Sequence, residues 1–522
     1  MIFLLPHSIT EAAHRNPERI AFRYLKEALT YKQMLDKMNQ LANTLLAHGL
    51  KKGDRVGVYL NRNLETAIAI YGIMQAGGVY VPIDPKSPID RCIFLIGDCN
   101  IKMLISEKKL NRNLPIICKN APSLNTIIGV ESGIDVNTIS WKQVEEMNKL
   151  VHLPYTILGK DLAYIIYTSG STGAPKGIMH THASGLAYAR LSADLYKLTK
   201  DDVVANHAPI HFDISTLGYF TAPLVGASTV IVSDAHTIFP SSLAKLIHEE
   251  KITIWYSVPL AMIQMLEQGV LDQYNMDRLR WVLYGGEVFP PVYLRALIQK
   301  WSKARFCNVY GPAEVNQCTY FHIDNIDLYK ESIPIGTVWN NTEFLIIDDL
   351  DIITKEGEAG ELLIRSATQM QGYWNNISLT EKSLYKTKVE GIEKSYYRTG
   401  DIVRVDELGI MHFLGRKDYQ VKIRGHRVEL ASVEACILEH PLITEVAAYP
   451  VQYTVAAKRI EVAIKTKKNE TINLEEITTH LKAKLPYYAI PEKITQVEDF
   501  PRTSTGKIRK SELIRTFDNV KG

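Results

Sequence analysis

Short hydrophobic runs alternate with longer stretches of helical periodicity through the first part of the chain. A mostly apolar stretch over 65–75 predicts a helix. Buried strands are predicted at 54–60, 79–84, 163–168, 228–233, 252–258, 281–284 and 305–310. Helical patterns separate several of these strands. Such alternation is typical of an α/β fold with a largely parallel sheet.

The pattern changes twice in the second half. From about 333 to 415, short β-rich segments at 342–349 and 360–366 are separated by glycines, which predicts a barrel or a small antiparallel sheet. Beyond 415 the pattern predicts a separate α+β unit. Its elements are helices at 430–439 and 474–485, strands at 444–450 and 460–466, and a final lysine-rich helix.

Composition places the chain among ordinary globular proteins. A chain of 522 residues is too long to fold around a single hydrophobic core. Its 46% hydrophobic and 22% charged residues exclude a disordered or collagen-like chain. No apolar run approaches the roughly 18 residues that a membrane-spanning helix needs. The net charge of +3 argues against a surface dedicated to nucleic acid. We therefore expect neither a membrane nor a nucleic acid as partner.

The cysteines and the first residues of the chain indicate the cellular compartment in which the protein is expected. Six cysteines show no C-x-x-C pair, as is typical of reduced thiols in a cytosolic protein. The start of the chain lacks a basic segment, and Pro6 interrupts its apolar run, unlike a secretory signal peptide. The expected location is the cytoplasm.

A glycine- and hydroxyl-rich segment at 167–177 follows the strand at 163–168. Its glycines allow backbone N–H groups to converge on a polyphosphate, its hydroxyls add donors and its lysine adds charge. The candidate phosphate-binding residues are Thr168, Ser169, Gly170, Ser171, Thr172, Gly173 and Lys176. It is not a Walker A loop, because Gly177 follows Lys176. A flexible surface loop is the alternative.

This segment resembles the signature loop of the adenylate-forming enzymes, which include acyl-CoA synthetases, luciferases and the adenylation units of nonribosomal peptide synthesis. Further segments match that family in order: YGPAE at 310–314, GEL at 360–362, GYW at 372–374, YRTGD at 397–401, GRKD at 415–418, VKIRG at 421–425 and PRTSTGK at 501–507. The resemblance implies a large domain over 1–416, made of two α/β subdomains and a distorted β-barrel. A small mobile α+β domain over 417–522 would follow, with its hinge at Asp418.

The resemblance also implies the chemistry of ATP-dependent carboxylate activation with Mg²⁺. Lys507 would bridge the substrate carboxylate and the phosphates, and Glu314 would hold Mg²⁺. Asp401 would accept hydrogen bonds from the ribose, Tyr310 would stack on adenine, and Arg416 would reach the ribose or phosphate. Gly286, Glu287 and Gly311 complete the expected ATP site.

Two of these positions have simpler interpretations, and one residue departs from the family. In isolation, Asp401 would be expected to cap a turn, and Lys507 to be one solvated charge among several. Ala313 stands where the family usually has threonine. We expect the missing hydroxyl to affect the rate of the reaction and not its class.

The segment 208–215 (APIHFDIS) resembles the amino-acid-activating branch. Asp213 would be a carboxylate in an apolar pocket, where a substrate ammonium supplies the partner that a buried charge needs. The alternative is that Asp213 caps the following helix. The pocket positions implied by that branch are Asp213, Ile214, Leu217, Tyr256, Leu283, Gly285, Val309, Gln317 and Cys318, closed by Lys507.

This pocket is small and largely apolar, and it resembles that of free-standing L-proline-activating ligases. Gln317 is a departure, because an apolar residue is expected there. The chain ends soon after Lys507 without a carrier segment, so we expect transfer in trans to the phosphopantetheine thiol of a separate carrier protein. The region 417–522 carries 18 basic and 14 acidic residues, which would suit an acidic carrier.

Three alternatives stay open at this point. They are a D-alanine–carrier protein ligase, an acyl-CoA ligase for a small carboxylic acid, and a nucleotide-binding sensor without catalysis. Tyr256 argues against a D-alanine ligase, because D-alanine is a small substrate that needs less room. A metal site at His180 and His182 is not expected, because neither a third ligand nor a suitable carboxylate accompanies them.

Overall fold

The computed structural model describes residues 2–170, 174–389, 391–417, 420–454, 457–467, 472–502, 508, 510 and 512–513. The chain divides into two compact units. The first comprises Met1–Pro85, Leu95–Tyr167 and Gly177–Lys417, and the second comprises Lys86–Phe94, Thr168–Lys176 and Asp418–Gly522.

The described helices are α1 His7–Arg15, α2 Tyr31–Ala47, α3 Leu64–Gln75, α4 Ile89–Asp98, α5 Leu114–Asn120, α6 Trp141–Glu145, α7 His182–Leu195, α8 Ala222–Val225, α9 Asp234–Ile238, α10 Pro240–Glu249, α11 Pro259–Glu267, α12 Pro291–Lys300, α13 Ile377–Lys382, α14 Leu430–Leu438 and α15 Leu474–Lys484. Short 3₁₀ turns lie at Lys108–Leu110, Asp213–Ser215, Leu271–Gln273, Ile326–Leu328 and Tyr487–Ala489, and a π-helical turn at Leu217–Thr221. None of the described helices is long and apolar enough to cross a membrane.

The described strands are β1 Ile20–Tyr24, β2 Glu27–Thr30, β3 Arg55–Val58, β4 Val79–Pro82, β5 Met103–Ile105, β6 Thr126–Ile128, β7 Asn137–Ile139, β8 Leu162–Thr168, β9 Lys176–Thr181, β10 Val203–Asn206, β11 Ser228–Ile231, β12 Ile254–Ser257, β13 Trp281–Gly285, β14 Arg305–Tyr310, β15 Thr319–His322, β16 Thr337–Val338, β17 Thr342–Ile347, β18 Gly360–Ser366, β19 Gly372–Tyr373, β20 Leu384–Val389, β21 Ile392–Val405, β22 Met411–Arg416, β23 Gln420–Ile423, β24 His426–Glu429, β25 Ile443–Gln452, β26 Lys458–Thr466 and β27 Lys493–Gln496.

A nine-stranded sheet in the first unit carries much of the candidate site. Its order is β16-β15-β14-β13-β12-β10-β11-β1-β2. The six strands from β14 to β1 are parallel, and the edge strands are antiparallel. This confirms the predicted parallel sheet. Because β12, β13 and β14 run in one direction, the residues that end them lie at a common edge, where ligands of α/β folds usually bind.

A second sheet, of eight strands, has the order β19-β9-β8-β4-β3-β5-β6-β7. It is parallel from β8 to β7, while β19 pairs antiparallel with β9. Helix α2 begins with a capping box in which Thr30 and Gln33 exchange hydrogen bonds, and its apolar face packs against α3 in the largest hydrophobic core.

The region 333–415 differs from the distorted β-barrel that was predicted. Its five antiparallel strands form an open sheet among the described residues, in the order β17-β18-β21-β20, with β22 also on β21. The fourteen-residue β21 explains the geometry, since β20 pairs with its first half and β22 with its second. The prediction of a small antiparallel sheet is confirmed, and the strands do not close into a barrel among the described residues.

The second unit contains the α+β elements predicted beyond 415. Strands β23 and β24 form a hairpin whose turn residues, Arg424 and Gly425, both have positive φ, as tight hairpins require. Strands β25, β26 and β27 form a three-stranded sheet, and α14 and α15 share its hydrophobic core. The predicted final helix lies largely outside the described residues.

Candidate active site

The connection between β14 and β15 is a tight loop that carries Glu314. A Cβ on Gly311 would lie 1.9 Å from the carbonyl oxygen of Asn316, so glycine is required there. Asn316 itself has a φ of 55°, and the amide of Cys318 donates to the carbonyl of Tyr310 over 2.9 Å. The loop therefore returns on itself and holds its residues in one conformation.

Glu314 is fully buried, with 0% of its surface exposed. Its Oε1 accepts a hydrogen bond from the Tyr373 hydroxyl over 2.8 Å, and its backbone carbonyl accepts one from the amide of Met370 over 2.7 Å. The Tyr397 hydroxyl lies 3.4 Å from that of Tyr373. These contacts orient a carboxylate that would be costly to bury alone.

The sequence did not reveal the part played by Tyr373. It belongs to the GYW segment, which was matched as a block without a role for any single residue. The sequence shows a tyrosine directly after a glycine in this segment. Its hydrogen-bond partner, Glu314, lies 59 positions away, so no local pattern links the two residues.

His180 supports the same loop from β9. Its ring is buried and stacks on Tyr164 at 4.9 Å between centroids, and its Nε2 lies 2.9 Å from the carbonyl oxygen of Ala313. Burial lowers the pKa of His180 to about 4. The ring is therefore neutral near pH 7, and Nε2 donates to the carbonyl. The sequence predicted no role for this residue.

Asp401 contacts two other predicted nucleotide-binding residues of the first unit, Tyr310 and Arg416. It faces Arg416 across β21 and β22, and Arg416 Nη1 donates to Asp401 Oδ1 over 2.5 Å. The Tyr310 hydroxyl donates to Asp401 Oδ2. Burial and the negative charge of Asp401 both raise the pKa of Tyr310. The turn-cap interpretation is therefore insufficient, because Asp401 joins two distant elements.

The backbone around Asp401 explains how it reaches this position. Gly400 has a φ of 71°, and the Thr399 hydroxyl accepts from the amide of Asp401 over 3.1 Å while donating to the carbonyl of Leu362 over 2.7 Å. Gly286 lies directly after β13 with a φ of 89°, and Glu287 follows it half-buried.

The seven predicted phosphate-binding residues belong to the second unit, and the structure describes four of them. Thr168 ends β8, and Lys176 begins β9 half-buried. The Ser169 hydroxyl donates to the carbonyl of Arg427 over 2.9 Å and accepts from the amide of Glu429 over 3.3 Å. A Cβ on Gly170 would lie 2.1 Å from the carbonyl of Ala174, so this turn also requires glycine. Ser171, Thr172 and Gly173 lie outside the described residues.

Asp213 opens the turn that follows β10. Its Oδ1 accepts from the amide of Ile214 over 2.9 Å, and its carbonyl accepts from the Thr216 hydroxyl over 2.5 Å. Its negative charge is among the causes that raise the pKa of three buried tyrosines, Tyr164, Tyr188 and Tyr256. Asp213 therefore lies beside an aromatic group of side chains.

Five of the predicted pocket residues pack in one hydrophobic cluster, which we call the Tyr256 cluster: Ile214, Leu217, Tyr256, Leu283 and Val309. Gly285 lies at the same sheet edge, where a Cβ would be 2.3 Å from the carbonyl of Val309 and 3.5 Å from the Tyr256 hydroxyl. Gln317 reaches this group, since its Nε2 donates to the Tyr256 hydroxyl over 2.6 Å. Cys318 instead packs in a neighbouring cluster with Val315 and Tyr373.

Comparison with known proteins decides the family. A family model described as AMP-binding enzyme matches residues 9–374, and one described as AMP-binding enzyme C-terminal domain matches 432–507. The chain belongs to the AMP-binding enzyme family. It is an AMP-forming ligase of the adenylate-forming group.

Relatives of this AMP-binding enzyme span nearly its whole length. It is 30% identical to an L-proline–[L-prolyl-carrier protein] ligase of Pseudomonas fluorescens, over 99% of each chain. It is 33% identical to a protein of the same name from Streptomyces coelicolor, over 92% of this chain and 91% of the relative.

A solved structure of the amide bond synthetase McbA from Marinactinospora thermotolerans has the same fold. It superposes with a TM-score of 0.87 at 19% identity, and covers 98% of this chain and 99% of its own.

Two predicted site residues of this AMP-binding enzyme, Lys507 and Asp418, lie outside the described residues. Among the described residues, no group of three or more histidine, cysteine, aspartate or glutamate side chains could hold a metal ion.

Proposed function

We propose that this enzyme activates L-proline with ATP and passes it to a carrier protein. In the first half-reaction a substrate carboxylate oxygen attacks the α-phosphorus of ATP, the bond to the β-phosphate oxygen breaks, and pyrophosphate leaves. In the second, the phosphopantetheine thiolate of the carrier attacks the carbonyl carbon, and AMP leaves. Two relatives of nearly equal length are named for this substrate and partner.

The position of Asp213 is the observation that favours an amino acid, rather than another carboxylic acid, as the substrate. It is a carboxylate beside three buried tyrosines, whose pKa values its charge helps to raise. A substrate ammonium or secondary amine would supply the compensating positive charge. A fatty or aromatic acid would bring no positive charge to that carboxylate.

The Tyr256 cluster supports a compact, uncharged side chain. Leu217, Leu283 and Val309 are each at most 2% exposed, so the wall that they form is apolar and densely packed. Neither an acidic nor a basic side chain would find an opposite charge among these residues. The ring of proline combines small volume with an amine at the position that Asp213 would neutralise.

The nucleotide would be held by the group around Asp401. Each carboxylate oxygen of Asp401 already accepts one hydrogen bond and has a lone pair left for a ribose hydroxyl. Arg416 keeps its positive charge next to this position and would face developing negative charge on the phosphate. Tyr310, anchored through its hydroxyl, would offer its ring face to adenine.

Glu314 suits a magnesium ion that arrives with ATP. It is a buried carboxylate whose Oε1 is oriented by Tyr373, and a hard cation takes such oxygens. Bound Mg²⁺ would supply charge neutralisation of the triphosphate. Lys507 is the residue that we propose bridges the substrate carboxylate and the α-phosphate. Asp418 is the proposed hinge between 1–416 and 417–522.

Pyrophosphate exchange tests this function. The enzyme should catalyse ATP–pyrophosphate exchange with L-proline ahead of the other protein amino acids, pipecolate and azetidine-2-carboxylate. Strong exchange with D-alanine and none with L-proline would contradict the proposal. Exchange without any acid present would instead indicate a nucleotide-handling protein without amino-acid activation.

A substitution at Asp213 separates amino acids from other acids. Asp213→Ala should abolish exchange with L-proline while the protein stays folded, because the amine loses its counter-charge. If a small carboxylic acid lacking an amine supports activity equally in both proteins and coenzyme A accepts the acyl group, the enzyme is an acyl-CoA ligase.

A further inference from the structure

Gln317 is the polar residue that is unexpected in this pocket, and the structure gives it a specific partner. Its side chain leaves the β14–β15 connection and donates from Nε2 to the hydroxyl of Tyr256, on β12, over 2.6 Å. Both residues are 4% exposed. The bond therefore joins two non-neighbouring elements of the sheet, 61 positions apart, inside the protein.

Each of these two side chains depends on the other. The second amide atom of Gln317, Oε1, is buried and has no hydrogen-bond partner among the described residues. Gln317 is thus held at its polar end through the Tyr256 hydroxyl. Removing either partner would leave a buried polar group unsatisfied, which proteins strongly disfavour.

The backbone restricts the Tyr256 hydroxyl from another direction. A Cβ on Gly285 would lie 3.5 Å from this hydroxyl, so the main chain of β13 is already close to it. With Gln317 bonded and β13 alongside, the ring of Tyr256 has a fixed position. Leu217, Leu283 and Val309 pack in the same cluster.

We propose that Gln317 and Tyr256 act as one unit, a hydrogen-bonded wall that sets the upper size limit of the substrate side chain. This rests on the proposed function, since it takes the Tyr256 cluster as the amino-acid pocket. Neither side chain alone fixes that limit, because an unpinned tyrosine ring can turn aside and a glutamine without its partner can change rotamer.

A double-mutant cycle measures whether the two residues act together. Gln317→Met keeps the length of the side chain, and Tyr256→Phe keeps the ring, so each removes the hydrogen bond with little change in volume. The measured quantity is the ratio of kcat/KM for L-proline to that for a larger substrate, with pipecolate, L-leucine and L-phenylalanine in pyrophosphate exchange.

Each single variant should lower the ratio for L-proline over L-leucine by roughly 10-fold, and the double variant should lower it no further than the stronger single variant. Tyr71→Phe is the matched control, since Tyr71 is a fully buried tyrosine in a different hydrophobic cluster and donates to the carbonyl of Tyr219. It should leave the ratio unchanged. Thermal unfolding of each variant confirms that it is folded.

Two outcomes would overturn the proposal. If the single effects multiply in the double variant, the residues act independently. If all substrates lose activity in equal proportion, the pair has a structural role only. A failure of the proposed function looks different: the unaltered enzyme would then show no exchange with any amino acid, and the pair could select none.

Discussion

Tyrosine hydroxyls hold both carboxylates of the proposed nucleotide site. Tyr310 donates to Asp401, and Tyr373 donates to Glu314. In each case the tyrosine and the carboxylate come from different elements, so the hydroxyl ties the orientation of the acid to the packing of another part of the fold. A carboxylate that is oriented before the ligand arrives loses less entropy when it binds.

Tyr373→Phe tests whether orientation of Glu314 matters. The variant keeps the ring in its core but removes the 2.8 Å hydrogen bond, so we expect the apparent affinity for Mg²⁺ in pyrophosphate exchange to fall by roughly 10-fold. The KM for the amino acid should stay nearly constant. Direct binding of Mg²⁺–ATP, followed by calorimetry, should weaken in parallel.

The control for this change is Tyr385→Phe. Tyr385 donates to the carbonyl of Asp351 at the surface of the five-stranded antiparallel sheet, which does not contain Tyr373. This variant should leave the magnesium dependence as it was. Equal effects in the two variants would argue against an orienting role for Tyr373.

At the scale of elements, the β14–β15 loop supplies residues to both proposed sites. It carries Glu314 and Gln317 within four positions, and Gly311, Asn316 and a hydrogen bond from His180 fix its shape. A distortion of this loop would therefore displace the proposed magnesium ligand and the pocket wall together.

Gly311→Ala should show this coupling. The added Cβ would meet the carbonyl of Asn316 at 1.9 Å, so the loop must move, with an expected loss of about 1–3 kcal/mol in stability. Because both sites shift, KM should rise for ATP and for the amino acid alike. Chemical denaturation and pyrophosphate exchange measure the two effects.

Gly97→Ala is the matched control, since a Cβ at this helical position meets no atom within 4 Å. It should leave activity unchanged and keep or slightly raise stability, because alanine favours helix over glycine. A rise in only one of the two KM values in Gly311→Ala would show that the loop does not couple the sites.

Elements with strong periodicity were predictable from the sequence. The runs at 163–168, 281–284 and 305–310 are strands within one residue of their predicted ends, since continuous apolar runs bury both faces of a parallel strand. The open form of the antiparallel sheet at 333–415 was not predictable. Whether short antiparallel strands close depends on which edges pair, and that is decided by the length of β21 and by contacts far apart in sequence.

Some residues of the candidate site were likewise predictable from the sequence, and others were not. Those within motifs, such as Glu314, Asp401 and Arg416, were named from the sequence because the motif carries the residue. Tyr373, which donates to Glu314, and His180, which bonds the carbonyl of Ala313, were not, since a hydrogen bond between residues 59 or 133 positions apart leaves no local pattern. The sequence did not indicate the hydrogen bond from Gln317 to Tyr256 either, because these two residues are also far apart in the chain.

For the molecule as a whole, buried histidines make stability sensitive to acid. Burial lowers the pKa of His180 and His182 to about 4 and that of His207 to about 3, from 6.5. Below pH 6.5 the unfolded chain binds protons that the folded protein does not. Stability should therefore fall from pH 6.5 towards 4, by up to about 1.4 kcal/mol per pH unit for each histidine.

Denaturation with urea at pH 7.5, 6.0 and 5.0 measures this slope. His180→Asn should reduce it, since one depressed pKa is removed, whereas the same measurement on His152→Gln, an exposed position, should give the original slope. An unchanged slope in His180→Asn would show that this histidine does not contribute.

The proposed hinge gives a prediction about the two half-reactions. Asp418→Pro fixes one backbone angle, and we expect near-normal pyrophosphate exchange with poor loading of the carrier, because only the second half-reaction would need the small domain to rotate. Lys507→Ala should show the reverse pattern, with loss of exchange and retained transfer from pre-made adenylate. Equal loss of both activities in either variant would contradict the two-state interpretation.

The bond between Gln317 and Tyr256 has a consequence for how this enzyme can change over generations. If each residue is poorly tolerated without the other, a lineage cannot reach a wider substrate range through single substitutions at these positions without passing through an impaired intermediate. Descendants should therefore replace both residues together or keep both. A paired pattern of replacement among natural variants would record that history.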